Sequence, residues 1–194
     1  MESVNKPLYI GLAWTDRPLG SAHEWQAQDK PVMSIHDKDA QWWEKLTQYK
    51  SVVYWDKEKT LGAPFVMFYN AAGRHPETDL KAERVGIALS KDMKKWKRYP
   101  GNPVFAHEAD GTITGDAHIQ KMGDDVYVMF YFSAFEPSRK YKAFNTFAAS
   151  YDLVHWTDWK GADLIIPSKD YDELFAHKSY VVKHNGWCII FIVP

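Results

Sequence analysis

The sequence predicts an all-β chain that forms part of a β-propeller. The motif Ser-x-Asp-x-x-x-Trp occurs at residues 90–96 and, about 60 residues later, at residues 150–156. The run FVMFY at residues 65–69 recurs about 60 residues later as YVMFY at residues 127–131. Hardly any segment has the apolar spacing of an α-helix, although residues 39–48 match a short one. A repeat of this length with several short strands is typical of propeller blades, in which each sheet has four antiparallel strands.

Each repeat consists of four predicted strands joined by recognisable turns. A short apolar run, a tight turn and the aromatic run give the first two strands. A long loop leads to a third strand that ends in the Asp and Trp motif, and a fourth strand follows. In the C-terminal copy the turn contains Asn185-Gly186, which is a strong hairpin signal between two apolar runs. The predicted first strands are residues 51–55, 117–122 and 179–183.

The phase of the repeat predicts a partial propeller that is open at both ends. A weaker copy of the third-strand element lies at residues 10–16, so the chain begins near the end of a blade and finishes in the second strand of another. We expect one incomplete domain with the end of one blade, two whole blades and the start of a fourth. A β-sandwich is the alternative fold, although it does not require so regular a repeat. The predicted boundaries are residues 1–35, 36–105, 106–166 and 167–194.

The last predicted strand departs from the repeat. Residues 187–193, WCIIFIV, lack the tyrosines of the two matching strands. With one choice of codons, the same nucleotides in the neighbouring reading frame encode VVYYLYCA, which restores the pattern. This indicates a base lost near the codon of Gly186, a hypothesis that the genomic nucleotide sequence tests.

Composition and charge exclude several classes of protein. Lys and Arg total 24 against 25 Asp and Glu, a net charge of −1, whereas a protein that coats nucleic acid or an anionic membrane normally carries a basic excess. The one cysteine, Cys188, excludes an internal disulfide and a multi-thiolate zinc site. The longest apolar run, residues 187–193, is shorter than the roughly 20 residues of a membrane helix. Residues 1–7 show no basic start followed by an apolar stretch, the pattern expected of a signal peptide. An aromatic content of 15% favours a surface that stacks on sugars.

The first strand of each blade lines the axis of a propeller, and its opening residues face one mouth. Aligning these strands places Lys50, Asp116 and Lys178 at equivalent positions, about 60 residues apart. We therefore expect two ammonium groups and one carboxylate around a shared opening, where the lysines favour the charged form of Asp116. A structural ion pair near the axis is the alternative interpretation.

Two histidines accompany these positions. His177 precedes Lys178, and His118 lies two residues after Asp116 and therefore on the same face of the strand. A histidine beside a carboxylate can act as a general acid or base near neutral pH, although a lone histidine is more often a hydrogen-bonded core residue. A third interpretation is a structural cation at the axis, held by His118 and Asp116. No segment has strong metal-ligand spacing, so the sequence predicts no cofactor and no catalytic metal.

Three further residues are candidates for binding substrate. Glu108 and Asp110 lie in the loop that crosses the top between two predicted blades, where they face either substrate or solvent. Trp43 follows Trp42 in the preceding loop, and we expect one of these rings to stack on a sugar and the other to pack in the core. The Asp and Trp of the repeated motif occur once in each blade, so we interpret them as structural.

The repeated units resemble the five-bladed β-propeller glycoside hydrolases of families 43, 32 and 117. The likeness rests on Ser-x-Asp-Met/Leu-x-x-Trp after an inner hairpin with a Tyr-x-Met-x-Tyr strand, and it covers all but the last eight residues. It implies that the chain holds about three of five blades. These families place an Asp general base on the first blade, a second Asp two blades on and the general acid one blade later. The resemblance thus implies that Asp116 orients the sugar and tunes the acid, that the acid falls at His177-Lys178, and that the base lies outside this chain.

The function expected from this resemblance is hydrolysis of O-glycosidic bonds in a poly- or oligosaccharide of plant or algal type. Families 43 and 32 have Glu at the acid position, whereas family 117 uses a histidine, which this sequence resembles better. We expect a carbohydrate as the partner, no nucleic acid or membrane, and low activity in the chain as given. The intact protein is expected to be periplasmic or secreted, and the sequence does not predict its oligomeric state. The alternative is a non-catalytic propeller that binds a glycan or another protein.

Overall fold

The computed structural model describes residues 7–17, 24–107, 111–123 and 125–193. Within these ranges the chain forms β-strands and a 3₁₀ turn at Trp42–Glu44, and it contains no helix long and apolar enough to span a membrane. The strands are β1 (Ala13–Trp14), β2 (Gln26–Ala27), β3 (Thr47–Trp55), β4 (Phe65–Arg74), β5 (Lys81–Ser90), β6 (Lys97–Arg98), β7 (Ile113–Lys121), β8 (Tyr127–Ala134), β9 (Ala143–Ser150), β10 (Thr157–Asp158), β11 (His177–His184) and β12 (Trp187–Val193).

The described strands form four antiparallel sheets. β1 pairs with β2, the strands β3 to β6 form a four-stranded sheet in chain order, β7 to β10 form a second one, and β11 pairs with β12. A sheet whose spatial order equals its chain order is the meander of a propeller blade. The predicted all-β class and partial propeller are confirmed, whereas the boundaries between blades stay predictions. The prediction of a short helix at residues 39–48 was wrong, because only the 3₁₀ turn forms there and β3 already begins at Thr47.

Strand β4 is buried on both faces and determines where the core lies. Val66 and Phe68 pack toward the sheet of β7 to β10, whereas the alternating residues Met67 and Tyr69 pack toward the N-terminal segment that contains Met33. Since alternate side chains of a strand point to opposite faces, the sheet of β3 to β6 lies between that segment and the second four-stranded sheet. A polar residue within β4 therefore needs partners inside the protein.

Asn70 of β4 meets this need by holding the inner strand of the next sheet. Its side chain is fully buried, and its Nδ2 donates to the carbonyl oxygen of Thr114 at 2.8 Å. Its Oδ1 accepts a hydrogen bond from the backbone N–H of Asp116 at 3.0 Å. Gly115 allows this approach, because a Cβ at that position would lie 2.4 Å from Asn70 Nδ2. One amide thus holds the backbone on both sides of Gly115.

Asn145 makes the equivalent contact at the next junction from a different strand. Its Nδ2 donates to the carbonyl oxygen of Ala176 at 2.8 Å. Asn70 lies opposite Val85 across β4 and β5, whereas Phe132 lies opposite Asn145 across β8 and β9. The clamping amide therefore comes from the second strand of one sheet and from the third strand of the other.

We expect Asn70→Ala to lower the free energy of unfolding by about 1–3 kcal/mol, because it leaves the Thr114 carbonyl and the Asp116 N–H without partners in the interior. Urea denaturation followed by tryptophan fluorescence measures the change. Gln26→Ala, which removes an exposed amide from β2, is the matched control and should alter stability by less than about 0.5 kcal/mol. Equal effects of the two substitutions would show that the clamp does not stabilise the junction.

Candidate functional site

Each inner strand contains one residue with left-handed backbone conformation. The φ angle is 49° at Lys50, 53° at Asp116 and 52° at Lys178. All three residues fall where the register of their hairpin shifts. A bulge of this kind re-aims the side chain, and a residue other than glycine with positive φ costs on the order of 1 kcal/mol or more. The equivalence of these residues, which the sequence repeat predicts, thus extends to their backbone conformation.

The three left-handed residues line one cleft of about 430 Å³. We call it the axial cleft. Its lining is completed by Ser51, Val52, His118, Ser179 and Tyr180. The structure therefore brings together four of the predicted site residues, namely Lys50, Asp116, His118 and Lys178.

An ion pair lies within the axial cleft. Lys50 Nζ lies 3.2 Å from Asp116 Oδ2, and the two side chains are 27% and 14% exposed. The same ammonium group lies 4.6 Å from the centroid of the Phe132 ring. A cation over an aromatic face is attracted to it, so Phe132 helps to hold Lys50 beside Asp116. Because the carboxylate is directed at this lysine, its position is fixed before any ligand enters.

His118 is held as a neutral donor. Its Nδ1 accepts a hydrogen bond from the backbone N–H of Val181 at 2.8 Å, and its ring stacks on Tyr180 with 4.8 Å between centroids. Burial lowers the pKa of His118, because the surroundings disfavour the charged imidazolium. With Nδ1 as an acceptor, the neutral ring carries its proton on Nε2 and can donate it in a hydrogen bond.

His177 lies at the start of β11 but does not line the axial cleft. Its Nδ1 donates to the carbonyl oxygen of Val193 at 2.8 Å. Its ring meets the edge of Phe132 with 5.8 Å between centroids, and Phe132 is the ring that contacts Lys50. One aromatic ring thus separates His177 from the ion pair. The catalytic role of His177 stays a prediction.

The remaining predicted residues lie elsewhere. Trp43 is fully buried, stacks on Tyr69 with 5.7 Å between centroids, and approaches Gly86 so closely that a Cβ there would lie 2.4 Å from the indole. The expectation that Trp43 stacks on a sugar was therefore wrong, because its ring fills the core. Glu108 and Asp110 lie outside the described residues.

A buried carboxyl group beneath the axial cleft was not predicted from the sequence. Glu83 of β5 is 4% exposed, and its Oε1 accepts a hydrogen bond from Asn70 Nδ2 at 3.5 Å. Burial raises the pKa of Glu83, although hydrogen bonding to Tyr49 and the nearby lysines oppose that effect. Burial, and then the charge of Glu83, raise the pKa of Tyr49 in turn. The available signal was a glutamate within a strand of mostly apolar residues, at Ala82-Glu83.

A second unpredicted cluster lies between β8 and β10. His107 Nδ1 is 2.7 Å from Asp158 Oδ2, and its Nε2 is 3.1 Å from Glu136 Oε1. Burial raises the pKa of Glu136, but hydrogen bonds from His107 and Ser133 outweigh burial and leave it below its usual value. Tyr131 donates from its hydroxyl to Asp158. The members come from distant parts of the chain and share no motif, so no sequence pattern indicates that they meet.

No group of three or more His, Cys, Asp or Glu side chains that could hold a metal ion occurs within residues 7–17, 24–107, 111–123 and 125–193. The structural cation considered at the axis would have Asp116 and His118 as protein ligands, and Asp116 is already paired with Lys50. An axial cation stays a prediction.

His118 should make the stability of the chain depend on pH. Because burial lowers its pKa in the folded state, the unfolded chain binds more protons as the pH falls below about 6.5, and stability falls with it. We expect His118→Asn to reduce this loss between about pH 7.5 and about pH 5.5, as measured by urea denaturation at several pH values. His184→Asn, at an exposed position of the β11–β12 hairpin, should keep the wild-type pH dependence. An unchanged slope in His118→Asn would contradict the assignment of a neutral ring.

Neither a protein-family model nor a curated protein matches the chain. Among solved structures, the chain is 84% identical to a protein described as a glycoside hydrolase, with a TM-score of 0.88, and the match covers 95% of this chain and 52% of that one. It is 85% identical to the protein of a structure described as a complex of BT0996 and RGII, with the same TM-score and coverage.

Two more distant solved structures share the fold. The Bombyx mori GH32 beta-fructofuranosidase BmSUC1 is 18% identical, with a TM-score of 0.52 over 66% of this chain and 26% of that one. The endo-arabinase from Bacteroides thetaiotaomicron VPI-5482 is also 18% identical, with a TM-score of 0.53 over 91% of this chain and 57% of that one. The resemblance to propeller glycoside hydrolases is thereby confirmed. By this shared fold and by its high identity to the first two proteins, the chain is part of a glycoside hydrolase-like β-propeller, and it spans about half the length of those two proteins.

Proposed function

We propose that this chain forms part of the active site of a glycoside hydrolase that cleaves O-glycosidic bonds in an oligo- or polysaccharide of plant or algal type. The observation that carries the proposal is the axial cleft, where a left-handed bulge presents Asp116 next to Lys50, in a chain 84% identical to a protein described as a glycoside hydrolase. RGII, which the description of the second relative names, is a carbohydrate. It supports a carbohydrate as the ligand of this cleft.

Glycoside hydrolysis needs two groups on opposite sides of the bond that breaks. In the proposed reaction the imidazolium of His177 gives its Nε2 proton to the leaving oxygen as the bond between that oxygen and C1 of the sugar breaks. A carboxylate base accepts a proton from water, whose oxygen forms the new bond to C1. We place this base on an inner strand outside the described residues, and for that reason expect little activity from the chain alone. Asp116 orients the sugar.

Two contacts support His177 as the acid. The Val193 carbonyl accepts the Nδ1 proton of His177 at 2.8 Å, so Nε2 is the nitrogen that exchanges a proton with substrate. The ring packs on Phe132, which in turn contacts Lys50. A sugar that spans the axial cleft and the edge of Phe132 would meet both Asp116 and His177.

A non-catalytic glycan-binding module is the second candidate. It is favoured by the position of His177 outside the lining of the axial cleft and by the neutral state of His118, which donates hydrogen bonds but does not supply a proton in a reaction. In that case the cleft residues would affect affinity for a glycan, and no glycoside would be turned over.

The first test uses the leaving group of the substrate, in a protein that contains this chain within a complete propeller. We expect His177→Ala to lower kcat/KM by about 10²–10⁴-fold for aryl glycosides with poor leaving groups, because these need protonation as the bond breaks. For glycosides with good leaving groups the loss should be much smaller. His184→Ala, at an exposed position of the same hairpin, is the control and should leave both rates unchanged. A loss that does not depend on the leaving group would remove His177 from the role of acid.

The second test measures the steady-state kinetics of the same protein. Asp116→Asn removes the carboxylate that we expect to orient the sugar, so kcat/KM should fall by about 10²-fold or more. Asp125→Asn, whose wild-type side chain is 81% exposed, is the matched control and should retain the wild-type kcat/KM. A wild-type kcat/KM in Asp116→Asn would contradict the orienting role.

A further inference from the structure

The charges of the axial cleft are unevenly paired. Lys50 is bound to Asp116 at 3.2 Å, and Glu83 lies beneath them, buried and held by Asn70. Lys178 lines the same cleft and is exposed to solvent. Among the residues that the structure describes, no carboxylate lies within ion-pair distance of its ammonium group. One positive charge therefore faces the cleft without a counter-charge from the described part of the chain.

Next to this charge lies a buried hydroxyl group. Ser179 follows Lys178 in β11, is 8% exposed and lines the cleft. Its Oγ has no hydrogen-bond partner among the described residues. Buried polar atoms in folded proteins are almost always hydrogen-bonded, so a hydroxyl in this state is suited to a ligand oxygen. A hydroxyl both donates and accepts, and therefore can serve either a carboxylate or a sugar hydroxyl.

An aromatic ring lines the axial cleft next to Lys178 and Ser179. Tyr180 is 63% exposed and stacks on His118 with 4.8 Å between centroids and 26° between planes. His118 holds the tyrosine ring on one side and leaves the opposite face accessible. The C–H face of a sugar packs well on an aromatic ring of this kind. Since His118 carries its proton on Nε2, it also adds a neutral donor at the rim.

Two groups of the cleft present hydrogen-bond donors to a ligand. The ammonium group of Lys178 only donates, and His118 offers its Nε2 proton because its Nδ1 already accepts a hydrogen bond from Val181. The carboxylate of Asp116 is already directed at Lys50. A neutral sugar would leave the ammonium group of Lys178 without a charge partner when it displaced the surrounding water. An anionic sugar would supply that charge, and complementary charge is also how binding sites reject the wrong ligand.

We propose that the axial cleft binds a sugar that carries a carboxylate, a uronic acid residue, with the carboxylate on Lys178 and the ring on Tyr180. The proposal rests on the proposed function in so far as it takes the ligand to be a carbohydrate. It adds the chemical class of that carbohydrate and the residues that distinguish it from a neutral sugar. Binding alone is required, so it does not depend on where the catalytic base lies.

The test compares two ligands that differ only at C6. Methyl galacturonide carries a carboxylate there and methyl galactoside a hydroxymethyl group, and their binding to the chain is measured by isothermal titration calorimetry or by chemical-shift changes. We expect the uronide to bind at least about tenfold more tightly, as for a hydrogen bond to a charged group. This preference should disappear in Lys178→Met and largely remain in Lys178→Arg. Raising the salt concentration to about 1 M, where the screening length is about 3 Å, should weaken the uronide only.

Lys91→Met is the matched control. Lys91 is exposed and directly follows Ser90, the last residue of β5. Ser90 lies opposite Phe65, which pairs with Trp55 at the end of β3. Lys91 therefore lies near the end of β3 that is far from Lys50. Its replacement should preserve the preference for the uronide. Equal affinity for the two glycosides, or a preference that survives in Lys178→Met, would overturn the proposal. If the uronide binds as expected and no glycoside is hydrolysed by the complete propeller, the proposed function fails and this inference stands. If the complete propeller hydrolyses a glycoside but the chain shows no preference for the uronide, the proposed function stands and this inference fails.

Discussion

The left-handed residue within each inner strand is the constraint on which the axial cleft depends. A regular strand would direct neighbouring side chains to opposite faces, whereas the bulge at Asp116 turns its carboxylate toward Lys50. Such a conformation persists only where the surrounding structure enforces it. Asn70 does so here, since it binds the backbone on both sides of Gly115 and excludes any larger residue at that position.

The ionisable groups of the cleft differ in their exposure to solvent. Lys50, Asp116 and Lys178, which line the cleft, are partly or fully exposed. Burial raises the pKa of Glu83 beneath the cleft and lowers the pKa of His118 at its rim, so burial disfavours the charged form of both groups. The cleft thus presents to a ligand the charges of its more exposed residues.

The repeat made the sheets and the equivalence of three inner-strand positions predictable. The offsets of about 60 residues aligned Lys50, Asp116 and Lys178 correctly, because each blade repeats the same backbone path. Side-chain direction was harder to predict. Trp43 packs inward because Gly86 leaves room for its ring, and that glycine is far away in sequence. Glu83 supports the site through Asn70 and Tyr49, which lie on other strands, so the alternation within its own strand did not indicate its partners.

Asn70 and Asn145 show that equivalent junctions between neighbouring sheets are held by amides from different strands. In one sheet the amide is on the second strand opposite a valine, and in the other it is on the third strand opposite a phenylalanine. A chimaera that moved a single strand from one blade to the other would therefore place two amides at the same junction, or none. These two blades are interchangeable only as complete hairpins, because an exchange within a hairpin would change the number of amides at the junction.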